Sequence, residues 1–229
     1  MHLELPNIRL HSLKDFLKHY LMIVLSILTA LGLEAWIEHA HHSHAAAEAS
    51  RRMDEELGQV IGAIERSAAI NRKELATLRS LDTMVASALA DGADASEINR
   101  RIHARRADYQ LNANWPTLST VAWDVAVADQ SAGWIDASAL QHYSAAYTAE
   151  RELSTWLQHD STLVLDAPHL VDTLTDLQAG HPVDPYGFLR SLRQMEMMLD
   201  SEVSHLQGAA RRIAPALHGT AAGSARAGD

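Results

Sequence analysis

An uncharged apolar run near the start of the chain passes directly into a long charged segment. Residues 20–33 read YLMIVLSILTALGL, and beyond Glu34 and Trp36 the sequence becomes polar. A spanning helix needs about 20 predominantly apolar residues, and residues 19–37 fit if Glu34 is tolerated near one end. The run is apolar on every face, unlike an amphipathic helix of a soluble protein. The sequence therefore predicts one transmembrane helix over residues 19–37.

A cleaved signal peptide is the main alternative, because its apolar region is about 7–15 residues long. The flanks favour a retained anchor. Glu4 and Asp15 precede the run, and the one small-residue pattern that resembles a cleavage site, near Ala45 and Ala47, lies far downstream. We therefore expect the apolar helix to stay in the mature protein.

The distribution of positive charge predicts the orientation of this helix. Arg9, Lys14 and Lys18 lie on its N-terminal side, whereas the first cation beyond it is Arg51. Residues 1–18 are therefore expected in the cytoplasm, as an amphipathic lead-in at the membrane surface or as the first turns of the spanning helix. The remainder is then extracytoplasmic, which in a Gram-negative bacterium means periplasmic.

The segment beyond the apolar run is acidic. Residues 38–229 hold 16 Lys and Arg residues against 26 Asp and Glu residues, and the chain has no cysteine. This charge disfavours binding to nucleic acid or to anionic membrane surfaces. A domain of about 190 residues buries a sufficient core without disulfides.

Helical periodicity and capping residues predict an all-α fold. Ala35 to Ala90 contain no proline, and this segment and the span would make one rod of about 80 residues if they are continuous. Later helices are predicted from their N-cap residues Asp94, Thr117, Asp136 and Asp184. Pro168 interrupts a helix, and Pro215 is expected to end the last one. The prediction is a long-helix bundle over residues 38–215 and a disordered tail over residues 216–229.

Apolar residues of the charged segment recur at alternating spacings of four and three, which indicates a heptad seam. The seam consists of Leu57, Ile61, Ile64, Ala68, Asn71, Leu75 and Leu78. We expect these residues to form a helix–helix contact. Asn71 either fixes the register of that contact or is a core residue whose hydrogen bonds are satisfied, which is the commoner case. Within the span, Ser26 and Ala30 form a small-xxx-small pair that allows close helix packing.

Histidines and one intramembrane acid are the candidate polar sites. Zinc and copper are bound by histidine, but four histidines in six helical residues fan around the axis. No metal or cofactor is therefore predicted within one chain, although an oligomer would bring rings of histidines together. The candidate ligands are His39, His41, His42 and His44. Glu34 marks a functional position by its place in the span, and a ring of Glu34 in an oligomer would line a cation path.

Two further groups of residues each have a functional and a structural interpretation. Aromatic residues wall a ligand pocket or, more often, anchor helix crossings in the core; they are Trp115, Trp123, Trp134, Tyr143 and Tyr147. Basic residues form a partner site or, more often, a solvated face; they are Arg100, Arg101, Arg105 and Arg106.

The segment LKDFLKHYLMIVLSILTALGLEAW, followed by a Glu/Arg-rich helix, resembles a group of uncharacterised bacterial single-span membrane proteins. The shared pattern at the end of the span is Ala30, Leu31, Glu34 and Trp36. A weaker match is TLSTVAWDVAVADQSAGWIDASALQHYSAAY. The resemblance implies a short cytoplasmic N-terminus, one span and an extracytoplasmic helical domain, and it implies no catalytic residue.

The sequence contains no Walker, HExxH, GxSxG or GxGxxG motif, and no spacing unites a nucleophile with a base. We therefore expect a non-enzymatic protein of the bacterial inner membrane, a scaffold or accessory subunit. Its partners are the lipid bilayer and a second copy or another membrane protein, bound through the seam. The alternatives are a periplasmic ligand-sensing bundle that signals through a partner, and an oligomeric pore.

Overall fold

Helices make up most of the structure, a computed structural model that describes the backbone of residues 13–165 and 168–224 and the side chains of residues 16–159 and 169–217. The described residues contain six α-helices and no strand. The helices are α1 (Leu13–Ala90), α2 (Ala95–Ala104), α3 (Val121–Ala128), α4 (Ala137–Leu165), α5 (Pro168–Ala179) and α6 (Pro185–Ser224), with 3₁₀ turns at Arg106–Asp108 and Ser131–Trp134. The predicted all-α class is confirmed.

The apolar run and the charged segment form one unbroken helix. α1 has 78 residues, which at 1.5 Å per residue gives a length of about 115 Å. The most apolar window of 18 residues has a mean hydropathy of 1.9 and is not buried by the protein, so this part of α1 is long and apolar enough to cross a membrane. From Leu13 onward the lead-in belongs to the same helix; residues 1–12 lie outside the described residues.

Glycines end α1 and α5. Gly92 and Gly180 have φ angles of +71° and +74°, in the left-handed region where only glycine avoids a steric cost. The backbone N–H of Ala93 donates to the carbonyl of Ala88 at 3.0 Å, and that of His181 donates to the carbonyl of Asp176 at 2.8 Å. Both ends are Schellman motifs, which stop the helices sharply.

Three of the four predicted N-caps are confirmed. Asp94 accepts from the Ser96 N–H at 3.2 Å, Asp136 from the Ser138 N–H at 2.9 Å, and Asp184 from the Gly187 N–H at 2.7 Å. The cap predicted at Thr117 is wrong. That residue lies in the irregular segment before α3, which begins at Val121. The N–H of Ala122 in the first turn of α3 is capped instead by a carboxylate from α1.

Helix α6 lies antiparallel along α1. Arg79 pairs with Asp200 at 2.8 Å, and Asp82 of α1 pairs with Arg193 of α6 at 3.0 Å, so the residue numbers rise in one helix as they fall in the other. α6 also packs against α4. Tyr143 of α4 contacts Asp54 of α1, and Tyr147 contacts Glu56, so the start of α4 and the end of α6 lie nearest the apolar run.

The buried apolar residues form two clusters along α1. The cluster nearer the apolar run, the proximal cluster, includes Met53, Leu57, Ile64, Tyr143, Tyr147, Leu153, Leu206 and Ile213. The distal cluster includes Leu78, Leu81, Val85, Ile98, Ile102, Tyr109, Phe188, Leu192 and Leu199. α1 and α6 contribute to both clusters, so these two helices tie the domain together.

Asn71 lies in α1 between the two clusters and is completely buried. Its amide nitrogen donates to Glu202 and to the backbone carbonyl of Asn114, both at 3.0 Å. Its amide oxygen accepts from the Asn114 N–H at 2.7 Å. Asn71 is therefore a core residue with satisfied hydrogen bonds, as predicted. These hydrogen bonds also join the 109–120 segment and α6 to the same position along α1.

The seam predicted as a surface for a second molecule faces the chain's own core. Leu57, Ile64 and Leu78 are fully buried and Leu75 nearly so, and Ile61 packs at the edge of the proximal cluster. These residues do make helix–helix contacts, but within one chain. The chain itself therefore covers the seam. Periodicity identifies an apolar face without identifying what covers it.

The last helix continues past the residue predicted to end it. Pro215 lies inside α6, which reaches Ser224, so the predicted stop at Pro215 and the disordered tail from residue 216 are wrong as far as Ser224. A proline costs the helix one hydrogen bond and a steric clash. Burial of Ile213 and Ala216 in the proximal cluster offsets that cost. Residues 225–229 lie outside the described residues.

The basic run of α2 is a solvated face, as its commoner interpretation predicts. Arg100 and Arg101 both pair with Glu97 on the same helix, and Arg105 pairs with Asp108 at 2.7 Å. Arg100, Arg101 and Arg106 are exposed. The charges of this run are balanced mainly by neighbouring acids of the chain.

Candidate functional site

The apolar part of α1 has no partner within the chain. Its large side chains from Phe16 to Ile37 are exposed. Ser26 and Ala30 lie on this bare surface, where the Ser26 hydroxyl donates to the carbonyl of Met22 at 2.8 Å. Glu34 is also exposed. The structure brings none of the predicted positions of the span into contact with the folded domain.

The four histidines occupy different sides of α1. His39 and His41 are exposed, and His44 lines a small depression beside the 3₁₀ turn before α4. His42 lies 3.5 Å from Glu38 and stacks on Trp134, with ring centroids 3.6 Å apart and planes at 15°. Within the described part of the chain, no three His, Asp or Glu residues come together as metal ligands.

A carboxylate of α1 organises the start of α3. Glu56 accepts from the backbone N–H of Ala122 at 3.0 Å, from the Ser119 hydroxyl at 2.6 Å and from the Tyr147 hydroxyl at 2.9 Å. The first N–H groups of a helix have no acceptor within it, so Glu56 supplies from α1 the cap that a local Ser, Thr or Asp usually provides. One side chain thus joins α1, α3 and α4.

A second tyrosine of α4 repeats this arrangement one turn earlier. The hydroxyl of Tyr143 donates to Asp54 at 2.7 Å, and both tyrosines are completely buried. Burial, and then the acceptor carboxylates, raise the pKa of Tyr143 and of Tyr147 well above the usual range for phenols. The phenols therefore stay protonated at neutral pH and act as donors. We define Asp54, Glu56, Tyr143, Tyr147 and Glu150 as the polar brace.

Glu150 is the buried acid of the polar brace. Its side chain is completely inaccessible. Burial, with a smaller contribution from the negative charge of Glu56, raises the pKa of Glu150 to about 7. A carboxyl group removed from water favours its neutral form. Glu150 is therefore largely protonated at mildly acidic pH, whereas the hydrogen bonds of the brace are those that Tyr143 and Tyr147 donate to Asp54 and Glu56.

An open apolar groove lies between α3, the 3₁₀ turn Ser131–Trp134 and α4. Its volume is about 920 Å³, and its lining includes Trp123, Val127, Ala132, Leu140, Ser144 and Arg212. Trp123 packs on Tyr147 of the brace, with ring centroids 5.4 Å apart. Arg212 at the groove pairs with Glu152 at 2.5 Å. The groove thus has an apolar floor and a charged rim.

The aromatic residues divide among three environments. Tyr143 and Tyr147 are core anchors, as their commoner interpretation predicts. Trp123 lines the groove, which matches the pocket interpretation. Trp115 and Trp134 are about half exposed and line none of the larger cavities among the described residues; neither interpretation holds for them.

Sequence reasoning did not identify the polar brace or the groove. Asp54 and Glu56 lie in a charged stretch, RRMDEE, where acids are usually solvated, and Glu150 lies in an equally polar stretch of α4. The four-residue spacing of Tyr143 and Tyr147 does place both rings on one helix face. The acids that accept from them are about 90 residues away in the chain, so no local pattern pairs them.

No protein-family model matches the chain, and neither the curated proteins nor the solved structures include a match to it. The interpretation of the site therefore depends on its own geometry.

Proposed function

We propose that this chain is a single-pass protein of the bacterial inner membrane that carries a helical bundle and acts by binding rather than catalysis. The observation that supports this proposal is the unpartnered apolar part of α1. About 20 residues of a folded chain expose large apolar side chains all round the helix, an arrangement typical of a segment that meets lipid. The same helix then supplies both core clusters, so the anchor and the domain are mechanically one element.

The proposed orientation places the N-terminus in the cytoplasm and the bundle, residues 38–215, in the periplasm. Arg9, Lys14 and Lys18 precede the span, and no cation follows it before Arg51, which fits the positive-inside rule. The resemblance to bacterial single-span proteins supports the same topology.

The groove between α3 and α4 is the proposed binding surface in place of the buried seam. It is apolar, open and close to the membrane-facing end of the bundle. Val127 of α3, which lines the groove, adds an exposed apolar side chain to it. We propose that it receives an apolar helix from another membrane protein or from a second copy of this chain, in the manner of helix-in-groove recognition.

Membrane extraction tests the anchor, and photo-cross-linking tests the surface. We expect the full chain to remain in membranes after alkaline carbonate extraction, and a double Leu25→Lys, Leu28→Lys variant to be released. We expect a photoreactive residue at Gln141 in the groove to form a discrete cross-linked product in cells. The same residue at Met197, which is exposed on α6, is the control. Equal products at both positions, or none at Gln141, would contradict the proposed surface.

Ligand sensing is the second candidate function, and the size of the groove favours it. A volume of about 920 Å³ lies within the range of about 300–1,000 Å³ typical of small-molecule sites. A sensor would bind an apolar molecule against Trp123 and an anionic group near Arg212. Thermal-shift screening of the full chain in detergent distinguishes the two functions. A ligand that stabilises the parent chain but not Leu140→Asp would support sensing. If no such ligand is found and the groove cross-links to a protein, the result would support a scaffold.

A further inference from the structure

The polypeptide between α3 and α4 lies beside the end of the proposed span. α3 runs back along α1: its first turn is capped by Glu56, and Ser131, just beyond it, lies beside Ala45 and Glu48. Trp134 then stacks on His42. We call residues 129–136 the tip. It is the whole connection between α3 and α4, and Trp134 within it contacts α1 at His42.

The position of the tip along α1 can be compared with the thickness of a bilayer. His42 is five residues beyond Ile37, which corresponds to about 7.5 Å of helix. The headgroup layer extends about 5–7.5 Å beyond the hydrocarbon core on each side. A ring stacked on His42 therefore lies at the outer edge of the headgroup layer when α1 is upright, and deeper when α1 tilts toward the tip.

The exposed side chains of the tip suit that layer. Trp134 is 53 % exposed even with one face covered by His42, and Val127 at the end of α3 is equally exposed. Tryptophan prefers the membrane–water interface, where its ring meets lipid and its N–H meets water. Trp36, at the edge of the proposed span, is also exposed, and it would share the same belt.

The charges of the tip indicate which lipids it prefers. The sequence DQSAGWID carries Asp129 and Asp136 and no Lys or Arg. Asp136 is occupied as the cap of α4, and Asp129 accepts from the Ser131 N–H at 2.9 Å. Attraction to anionic lipid therefore plays no part, and a zwitterionic surface is the better match.

We propose that the tip rests on the outer surface of the bilayer through Trp134, so that the bundle is held at two points and keeps a fixed orientation. This inference rests on the proposed membrane anchor. The exposed face of the Trp134 ring contacts the lipid headgroup layer. The contact is formed by the same chain that spans the membrane, so it needs no partner.

Spin labels on introduced cysteines test the proposal, because the chain has no cysteine of its own. Gly133 in the tip is exposed, and a Cβ added there meets no atom within 4 Å, so Gly133→Cys leaves the fold intact. Gly58→Cys is the matched control: it is also exposed, a Cβ there meets nothing within 4 Å, and it lies about 24 Å farther along α1 than His42. Leu28→Cys reports on the span.

Each full-length variant is reconstituted in phosphatidylcholine vesicles, and the accessibility of its label to oxygen and to a water-soluble nickel chelate is measured. We expect residue 28 to be in the hydrocarbon, residue 133 at headgroup depth and residue 58 in water. We also expect Trp134→Ala to move the label at 133 toward the accessibility at 58, and Trp115→Ala to leave it unchanged. Added phosphatidylglycerol should make the label at 133 shallower.

The outcomes separate the tip contact from the anchor. The tip contact would be overturned, and the anchor kept, by the following result: the label at 28 is in the hydrocarbon, but the label at 133 is as accessible to the nickel chelate as the label at 58. A label at 28 in water would overturn both. A label at 133 that stays equally protected in Trp134→Ala would indicate an occupant that does not depend on Trp134 and would also overturn the lipid contact.

Discussion

The carboxylate of Glu56 in α1 accepts a hydrogen bond from the hydroxyl of Tyr147 in α4 at 2.9 Å, while the same carboxylate caps the N-terminus of α3. The two residues are 91 positions apart in the chain. This contact fixes α3, and hence the groove and the tip, relative to the long helix. The positions of the groove and the tip therefore depend on a part-buried polar contact.

Removing this carboxylate should destabilise the bundle. Glu56→Ala leaves the Ala122 N–H and the hydroxyls of Ser119 and Tyr147 without their acceptor. Losing a helix cap costs about 0.5–2 kcal/mol, and each buried group left unsatisfied costs about 1–3 kcal/mol. We expect the free energy of unfolding to fall by about 3 kcal/mol, measured by urea denaturation of the full chain in mild detergent. Glu65→Ala, at an exposed position of the same helix, is the control, and equal losses in both variants would refute the role of Glu56.

Glu150 should make the stability of the bundle depend on pH. Its pKa is raised from 4.5 to about 7 by burial, so between these values the folded chain holds a proton that the unfolded chain has lost. The free energy of unfolding therefore falls by about 3 kcal/mol as the pH rises from about 4.5 to about 7. Above that pH the contribution of Glu150 is constant.

Glu150→Gln, which keeps the shape and removes the charge, should abolish that decline and raise stability at pH 8. Urea denaturation at several pH values compares it with Glu65→Gln, which should follow the parent profile. A Glu150→Gln variant whose stability declines as steeply as that of the parent between pH 4.5 and 7 would show that another group is responsible.

Asn71 should couple the two core clusters. Asn71→Ala removes the acceptor of the Asn114 N–H and a donor to Glu202, so we expect a loss of about 2–3 kcal/mol and faster hydrogen exchange in the 109–120 segment. Asn112→Ala serves as the control, because Asn112 is exposed in the same segment. Unchanged exchange near Asn114 in Asn71→Ala would contradict this role.

Burial of the seam predicts different costs for two isoleucines of α1. Ile64 is fully buried and Ile70 is 50 % exposed. Truncation of a buried isoleucine to alanine costs about 2–5 kcal/mol. We expect the free energy of unfolding to fall by that amount in Ile64→Ala and by less than about 1 kcal/mol in Ile70→Ala. Both variants are measured at several protein concentrations. If the seam instead contacted a second copy, the loss in Ile64→Ala would depend on protein concentration.

The parts of the fold that depend on local chemistry could be predicted from the sequence. Asp94, Asp136 and Asp184 cap helices through N–H groups two or three residues away, so the relevant partners lie within one turn. The start of α3 could not be predicted, because its cap comes from Glu56 on another helix. α6 passes Pro215 for a similar reason: burial of Ile213 and Ala216, a property of the whole fold, outweighs a local helix breaker.

The candidate sites were predicted less well than the helices. The seam residues are apolar contacts as expected, but a heptad pattern is the same whether its partner is α6 of the same chain or a second molecule. The brace escaped prediction because Asp54, Glu56 and Glu150 are charged residues on charged helices, and only the tertiary fold buries them. Trp134 gave no signal beyond its residue type, since its position over His42 depends on how α3 folds back.

Cysteine accessibility in cells tests the proposed topology of α1. Ser12→Cys and Ser204→Cys variants of this cysteine-free chain, the latter exposed on α6, are treated with a membrane-impermeant maleimide in spheroplasts. We expect Ser204→Cys to be labelled in intact spheroplasts and Ser12→Cys only after lysis, with the protein in the membrane fraction throughout. Labelling of Ser12→Cys alone before lysis, or recovery of the full chain in the soluble fraction, would contradict it.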